Sequence, residues 1–307
     1  MIEHLPVMIK EVVSYIGLKD KVNVVVDSTL GLGGYSEQIL KNFKDSIVLG
    51  IDQDMQAIRM ARKKLEPFGE RFIAVHGNFR NIDSIVQENV TGKVSAIVFD
   101  LGVSNLQLCM PDRGFSFQHE GPLDMRMDGT STENGLTAWN VINRYEYRDM
   151  TRIFREYGEE RNAARIASGI IEYRTKHGNI NTTTELVGVI RNVLPAPLQR
   201  KMRGHPARKV FQALRIFVND EITAIDKGLN GALSCCEPEG LIIVISYHSL
   251  EDRIVKHKFR EWNKNELGNI VTRKPLVPNE EEILDNYKAR SAKLRVFSRG
   301  EFSERKE

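Results

Sequence analysis

Residues 22–52, VNVVVDSTLGLGGYSEQILKNFKDSIVLGID, limit what this chain can fold into more than any other stretch. An apolar, β-branched run over 22–26 reads as a strand and stops at Asp27. Gly31-Leu32-Gly33-Gly34 follows, and then an apolar-periodic stretch over 35–43 that reads as a helix. A second apolar run over 47–51 ends on Asp52. Strand, glycine turn, helix, strand and acid make the opening of a nucleotide-binding α/β sheet. The glycines let the backbone approach a ligand closely, and the acid at the tip of the second strand is placed to bind a ribose diol. The pattern points to an adenosine-containing cofactor and leaves two open. A dinucleotide calls for a third glycine where this chain has Ser36. S-Adenosylmethionine has no pyrophosphate and carries a cationic amino-acid end, which suits the carboxylate of Asp27.

The α/β alternation continues past Asp52. Met55, Ile58 and Leu65 lie at helical spacing, 72–75 reads as a third strand, and 94–99 reads as a fourth that runs into Asp100-Leu101-Gly102-Val103-Ser104. There the alternation stops. Residues 105–205 hold a loop-rich part over 110–133 and helical segments over 147–157, 162–173 and 184–194, the last closed by Pro195. From Pro206 onward Val210, Leu214, Phe217, Ile222, Ile225 and Leu229 trace one face of a long helix reaching 233. LIIVIS over 241–246 reads as a buried parallel strand, and Ser249-Leu250-Glu251-Asp252 is a capping pattern that opens a helix over 250–262. The division expected is 1–104 and 206–307 for a nucleotide-binding sheet, with 105–205 inserted as a mainly helical domain. Such an insertion lies over the carboxyl ends of the strands, where open α/β sheets bind ligands.

Composition narrows the class. Apolar content of 41% and charged content of 28% are those of an ordinary globular protein. No apolar run approaches the roughly 20 residues of a membrane span, and the N-terminus lacks a basic and apolar secretion signal. Cys109, Cys235 and Cys236 have no metal or disulfide spacing, and the seven histidines do not cluster, so no metal is called for and a reducing, cytoplasmic setting is expected. The net charge is only +3, yet residues 186–219 contain no Asp or Glu while carrying Arg191, Arg200, Lys201, Arg203, Arg208, Lys209 and Arg215. Lys288, Arg290, Lys293, Arg295 and Arg299 form a second basic cluster. Runs of this kind attract phosphate backbones, and the bland alternative is a solvated helix face.

The whole chain resembles the bacterial 16S ribosomal RNA cytosine-N4 methyltransferase family. The resemblance is carried by HLPVM (4–8), DSTLGLGG (27–34), GIDQD (50–54), NF (78–79), DLGVS (100–104), QL (107–108), RGFSF (113–117) and GPLDMRMDG (121–129). It continues through YGEE (157–160), FQALRIFVN (211–219), SYHSLEDRIVK (246–256) and RSAKLR (290–295). It implies a Rossmann-like class I methyltransferase sheet with an inserted substrate-recognition domain, and S-adenosylmethionine as cofactor. By position it implies that Gly33, Gly34 and Tyr35 line the methionine end, Asp52 takes the ribose hydroxyls, Phe79 contacts the adenine, and Asp100 and Gln107 complete the pocket. The implied partner is 16S rRNA in the small ribosomal subunit, and a homodimer is a possible assembly. The chain departs from the family pattern at Tyr35 for His, Asn105 for Ser, Cys109 for Asp, Tyr247 for Phe, and Tyr287-Lys288 for Pro-Arg.

The exocyclic N4 of cytosine is a poor nucleophile because its lone pair is delocalised into the ring. An acceptor for the amino protons helps the nitrogen pyramidalise. Asp100, or a backbone carbonyl just after it, is the first candidate acceptor and Ser104 the second; His248 can orient the base or accept a proton, or simply start a helix. Arg200, Lys201, Arg203, Arg208 and Lys209 are candidates to hold phosphates beside a cytidine turned out of its stack. The rivals are the same chemistry on another RNA or base atom, an inactive RNA-binding homologue, and, more distantly, a nicotinamide-dependent oxidoreductase.

Overall fold

The fold is taken from a computed structural model that describes residues 6–129, 135–202 and 204–301. Arg203 lies outside the described residues. The chain forms two compact units: Met1–Gly102 with Ile222–Glu307, and Val103–Glu221.

The first unit is built on a seven-stranded sheet of order β3-β2-β1-β4-β5-β7-β6. Its strands are β1 (Val24–Asp27), β2 (Ile47–Asp52), β3 (Phe72–His76), β4 (Val94–Asp100), β5 (Cys236–Ser246), β6 (Gly268–Ile270) and β7 (Lys293–Arg299). The first five pair in parallel, while β7 runs antiparallel to both β5 and β6. This is the Rossmann-like sheet that the strand, glycine turn and helix alternation led one to expect. Both faces are covered, so its strands read as continuous β-branched runs. Successive residues nevertheless divide between the faces with period two. Val24, Val26, Ile97 and Phe99 enter one core cluster, and Val25, Val48, Ala96 and Val98 enter the other. Each Val, Ile or Phe among these, fully buried, stabilises the fold by about 1.5–3 kcal/mol before entropy is counted.

Two features of the chain's fold were not legible in the sequence pattern. β7 absorbs part of the C-terminal basic cluster. Arg295 Nε and Lys293 Nζ lie 2.7 and 3.0 Å from the two carboxylate oxygens of Asp252, and Arg295 is 8% exposed. These two cations are structural, in an internal ion network. Burial pushes the Asp252 carboxyl up, but the hydrogen bonds from Arg295 and Lys293 outweigh it and hold the group below its ordinary range. The long helix expected over 206–233 is two helices, Arg208–Val218 and Glu221–Cys235. Asp220 at φ 49° breaks it, a conformation that a short polar side chain tolerates. The apolar period runs through the break, so it left no mark in the pattern.

The second unit is mainly helical. The helices Ala138–Arg144, Tyr147–Glu156, Ala163–His177, Thr183–Val193, Ala196–Lys201 and Arg208–Val218 surround a core that includes Phe154, Ile166, Ile170, Ile190 and Leu214. The last helix contributes Val210, Phe211 and Ala213 to that core, so its packing places the unit boundary at Glu221, C-terminal to the junction near 205 drawn from the sequence. Asn219 closes this helix. Its amide donates to the Arg215 and Met125 carbonyls, each at 2.8 Å, and its Oδ1 accepts the Met127 N–H at 2.7 Å. Asn219 thereby fixes the end of GPLDMRMDG.

Candidate active site

Asp27, Asp52 and Asp100 end β1, β2 and β4, which are neighbours in the sheet. Three acids therefore stand along one carboxyl edge of parallel strands, where such sheets bind ligands. The turn after β1 is stitched across that edge. Ser28 N–H donates to the Val98 carbonyl (2.9 Å), Leu30 N–H to the Ile51 carbonyl (2.9 Å), and Asp100 N–H to Thr29 Oγ1 (2.7 Å). Gly33 then starts the Gly34–Asn42 helix from a left-handed conformation, φ 74°, which any side chain would strain. A Cβ on Gly34 would come within 2.6 Å of the Pro6 ring, so this glycine admits the N-terminal segment.

The acids differ in environment. Asp27 is fully buried; Ser36 Oγ donates to its Oδ2 at 2.7 Å, and its Oδ1 has no hydrogen-bond partner among the described residues. Burial pushes its carboxyl up to about 6, against the Ser36 hydrogen bond. An orphaned buried acceptor is costly unless a ligand supplies a donor, and an ammonium group would. Asp52 accepts the Gly31 N–H at 2.7 Å and the Asp54 N–H at 2.8 Å, one on each oxygen. Each oxygen keeps a further lone pair for a hydroxyl. Burial raises this carboxyl too, with the backbone N–H groups of Asp54, Gly31 and Gln53 opposing. Asp100 Oδ1 accepts the Tyr247 hydroxyl at 2.6 Å. Burial pushes Asp100 up to about 7; the Tyr247 hydrogen bond opposes this, while Asp27 and Glu251 add to it.

Asp27 yields a stability prediction. Its folded value, about 6, lies above the ordinary 3.8. Below the ordinary value both states hold the proton and Asp27 costs nothing; relative to that, the folded state loses stability as pH rises through about 6, to a penalty of ~3 kcal/mol in the cofactor-free protein. Asp27→Asn removes the charge and should raise the melting temperature at pH 7.5 by several degrees, a gain that shrinks toward pH 4. Scanning calorimetry at both pH values checks this; an equal difference at each would refute the assignment.

The structure gives other candidates local duties. Tyr35 is buried and its hydroxyl donates to the Val7 carbonyl at 2.6 Å, so the side chain anchors the N-terminal segment. Phe79 packs edge-on against Phe99, with centroids 5.6 Å apart, and lies against Gly228. His248 is the N-cap of the Ser249–Lys264 helix; its Nδ1 accepts the Glu251 N–H at 3.4 Å and its Nε2 lies 2.9 Å from Glu251 Oε1. The Nδ1 contact makes His248 part of the helix cap, while Nε2 faces a Glu251 oxygen that makes no hydrogen bond among the described residues.

In the second unit, Ser104 and Gln107 form a capping box on the Asn105–Cys109 helix. The Gln107 amide also donates to the Met127 carbonyl at 3.4 Å, so these two residues brace the loop that follows β4. The basic run separates into engaged and open cations. Arg215 pairs with Glu221 through two contacts of 2.7 and 2.9 Å, and Lys209 Nζ donates to the Glu159 carbonyl at 2.7 Å. Arg200, Lys201 and Arg208 are exposed and form no ion pair among the described residues. Lys201 also lines a cavity of about 580 Å³ together with Arg161, Asn162, Arg165, Pro195 and Leu198.

The profile of the MraW methylase family matches residues 1–300. The chain belongs to the MraW methylase family. It is 48% identical to the ribosomal RNA small subunit methyltransferase H of Persephonella marina, over 97% of this chain and all of that protein. It is 46% identical to the protein of the same name from Carboxydothermus hydrogenoformans, over 98% of this chain and 99% of that one. Among solved structures, an rRNA methylase from Streptococcus thermophilus aligns with a TM-score of 0.46 and 10% identity, over 98% and 99% of the two chains. The family makes this chain a methyltransferase. Among the described residues no helix is long and apolar enough to cross a membrane.

The first unit thus gathers Gly33, Gly34, Tyr35, Asp52, Phe79, Asp100 and His248, and the second holds Ser104, Gln107, Arg200, Lys201, Arg208 and Lys209. Thr29, Arg161 and Arg165 escaped the sequence reading. Thr29 sits inside the glycine string and carried no separate signal. The two arginines flank an ordinary helix start, far in sequence from the acid-free run.

Proposed function

We propose that this protein transfers the methyl group of S-adenosylmethionine to the exocyclic N4 amine of a cytidine in 16S rRNA of the small ribosomal subunit. The observation that carries the reading is the row of three acids on β1, β2 and β4 beside the Gly31–Gly34 turn, in a chain of the MraW methylase family. The relatives' printed names support ribosomal RNA as the substrate. The acid row suits a ligand with a cationic end and a diol. Asp27 Oδ1 would meet the ammonium group, and Asp52 the ribose hydroxyls. Phe79 lies in the same unit for the adenine, and Gln107 is retained as a candidate for completing the pocket.

When bound, S-adenosylmethionine supplies an electrophilic methyl on a sulfonium. The target amine would take that methyl through its N4 lone pair, displacing the neutral thioether, and would lose one proton. Asp100 is the residue to hold that proton, because an acceptor on N–H restores lone-pair character to the nitrogen. Its backbone N–H, tied to Thr29, fixes the carboxylate relative to the glycine turn. Arg200, Lys201, Arg208 and the cavity cations contact phosphates, which position the strand without reading its sequence.

Two measurements test this. Mass-spectrometric mapping of rRNA incubated with the protein and labelled cofactor should find a single N4-methylcytidine in 16S rRNA; label on another base atom or another RNA would redirect the reading, and no label would favour an inactive binder. Asp52→Ala should weaken S-adenosylmethionine binding about ten- to a hundred-fold, the loss of roughly 1.5–3 kcal/mol in charge-assisted hydrogen bonding. Unchanged affinity by calorimetry removes Asp52 from the cofactor site.

A further inference from the structure

We propose that Tyr247 is a positioning residue for methyl transfer: its hydroxyl donates to Asp100 Oδ1 at 2.6 Å, fixing the carboxylate and leaving Oδ2 to accept the N–H of the target amine. The proposal rests on the methyl-transfer reading above.

The geometry is specific. Tyr247 directly follows β5, the parallel neighbour of β4, and Ile245 of β5 pairs with Asp100 itself. The Tyr247 backbone N–H donates to Glu251 Oε2 at 2.8 Å, and the Glu251 side chain is 1% exposed. The same oxygen accepts the His248 N–H at 3.2 Å. Glu251 and His248 thus hold the start of the Ser249–Lys264 helix, and that helix start holds Tyr247 against Asp100. The arrangement also gives His248 a purpose: it braces the residue that braces the acid. Tyr35 also lies close enough to Asp100 to favour its carboxylate, although its hydroxyl donates to the Val7 carbonyl at 2.6 Å, so Tyr247 is the donor committed to Asp100.

The surroundings show what this chain gains from a hydroxyl where the family pattern has Phe. The titratable side chains facing Asp100 are Asp27 from β1, Tyr35 from the Gly34–Asn42 helix, Glu251 from the Ser249–Lys264 helix, and Tyr247. Burial and the two acids favour the protonated form of Asp100, which cannot accept an N–H on the protonated oxygen. The Tyr247 hydroxyl favours the carboxylate. Burial and the adjacent Asp100 also push the Tyr247 phenol well above its ordinary value, so it stays a donor across the working range of pH.

The test is Tyr247→Phe, which keeps the ring and removes the donor. Single-turnover methylation of 16S rRNA is followed against pH at saturating cofactor and RNA. A hydrogen bond to a charged group corresponds to a shift of roughly one to two pH units. The acid limb of the profile should move up by that amount. The rate at pH 7 should fall about tenfold, and the rate above pH 9 should stay within about threefold of wild type. Infrared titration of the free protein, with Asp100→Asn as the difference reference, should place the carboxyl midpoint higher in Tyr247→Phe by the same shift. An acid limb and a midpoint that both stay in place overturn the proposal, even if the overall rate falls, because a merely structural loss moves neither. A wild type that methylates no cytidine in 16S rRNA overturns the parent reading and this one with it. That result is visible before any variant is made.

Discussion

Asp100→Ala is expected to slow the methyl-transfer step by about 10²- to 10⁴-fold, the range for loss of a positioned proton acceptor. The measurement is a single-turnover rate at saturating S-adenosylmethionine and RNA, so that any weakening of cofactor binding drops out. The size of the effect follows from what Asp100 does. Its backbone N–H is fixed by Thr29, its Oδ1 by Tyr247, and its remaining oxygen is the acceptor for a nitrogen whose lone pair is otherwise delocalised. Alanine removes all acceptor capacity at once. Asp100→Asn keeps one carbonyl oxygen in the same place and should retain more activity than alanine, with a rate that no longer follows an ionisation near pH 7. A rate for Asp100→Ala within fivefold of wild type would transfer the role to another group, and a backbone carbonyl just after β4 would be the first to examine.

The frame of this site was legible in the sequence because it rests on short-range rules. β-Branched runs, a glycine turn and acids at strand ends are each local, and β1, β2 and β4 end on the residues where the apolar runs end. The resemblance added the cofactor and the target. What escaped was contact between residues distant in sequence. Tyr247 was visible only as a departure from the family pattern, and nothing near it in sequence says that its hydroxyl meets an acid at position 100. His248 looked like an acid–base candidate because histidine titrates near neutrality, yet its partner is three residues away, at a helix start that the capping pattern had already marked. Ser104 has the same explanation: a hydroxyl beside a presumed catalytic acid is also the N-cap of the next helix. Charge runs were the least informative. A stretch without Asp or Glu does not say which cations point inward, and Arg215 and Lys209 are held by Glu221 and the Glu159 carbonyl while Arg200 and Lys201 are not.

That division of the cations sets the second large effect. Arg161, Arg165 and Lys201 surround one cavity, are exposed, and form no ion pair among the described residues. The residues lining the cavity include no carboxylate, and Pro195, Pro197 and Leu198 supply an apolar side. Like charges gathered without a counter-charge repel one another, and a phosphate between them relieves that repulsion. At about 580 Å³ the cavity falls in the range of pockets that take a small molecule, roughly 300–1,000 Å³, which is room for one nucleotide of a single strand. Each phosphate contact with a single strand adds about 0.7 to the slope of log affinity against log salt. Replacing Arg161, Arg165 and Lys201 together with Ala should therefore flatten that slope by roughly two units and lower affinity for a 16S rRNA fragment by about one to two orders of magnitude near physiological salt. S-Adenosylmethionine affinity should not change, since none of the three belongs to the unit that carries the acids. Lys209→Ala and Arg215→Ala are the contrast: both cations are engaged within the protein, so these variants should lose thermal stability and leave the salt slope nearly intact. Fluorescence anisotropy over a salt series separates the two groups, and a triple variant with the wild-type slope and affinity would reduce the cavity cations to a solvated surface.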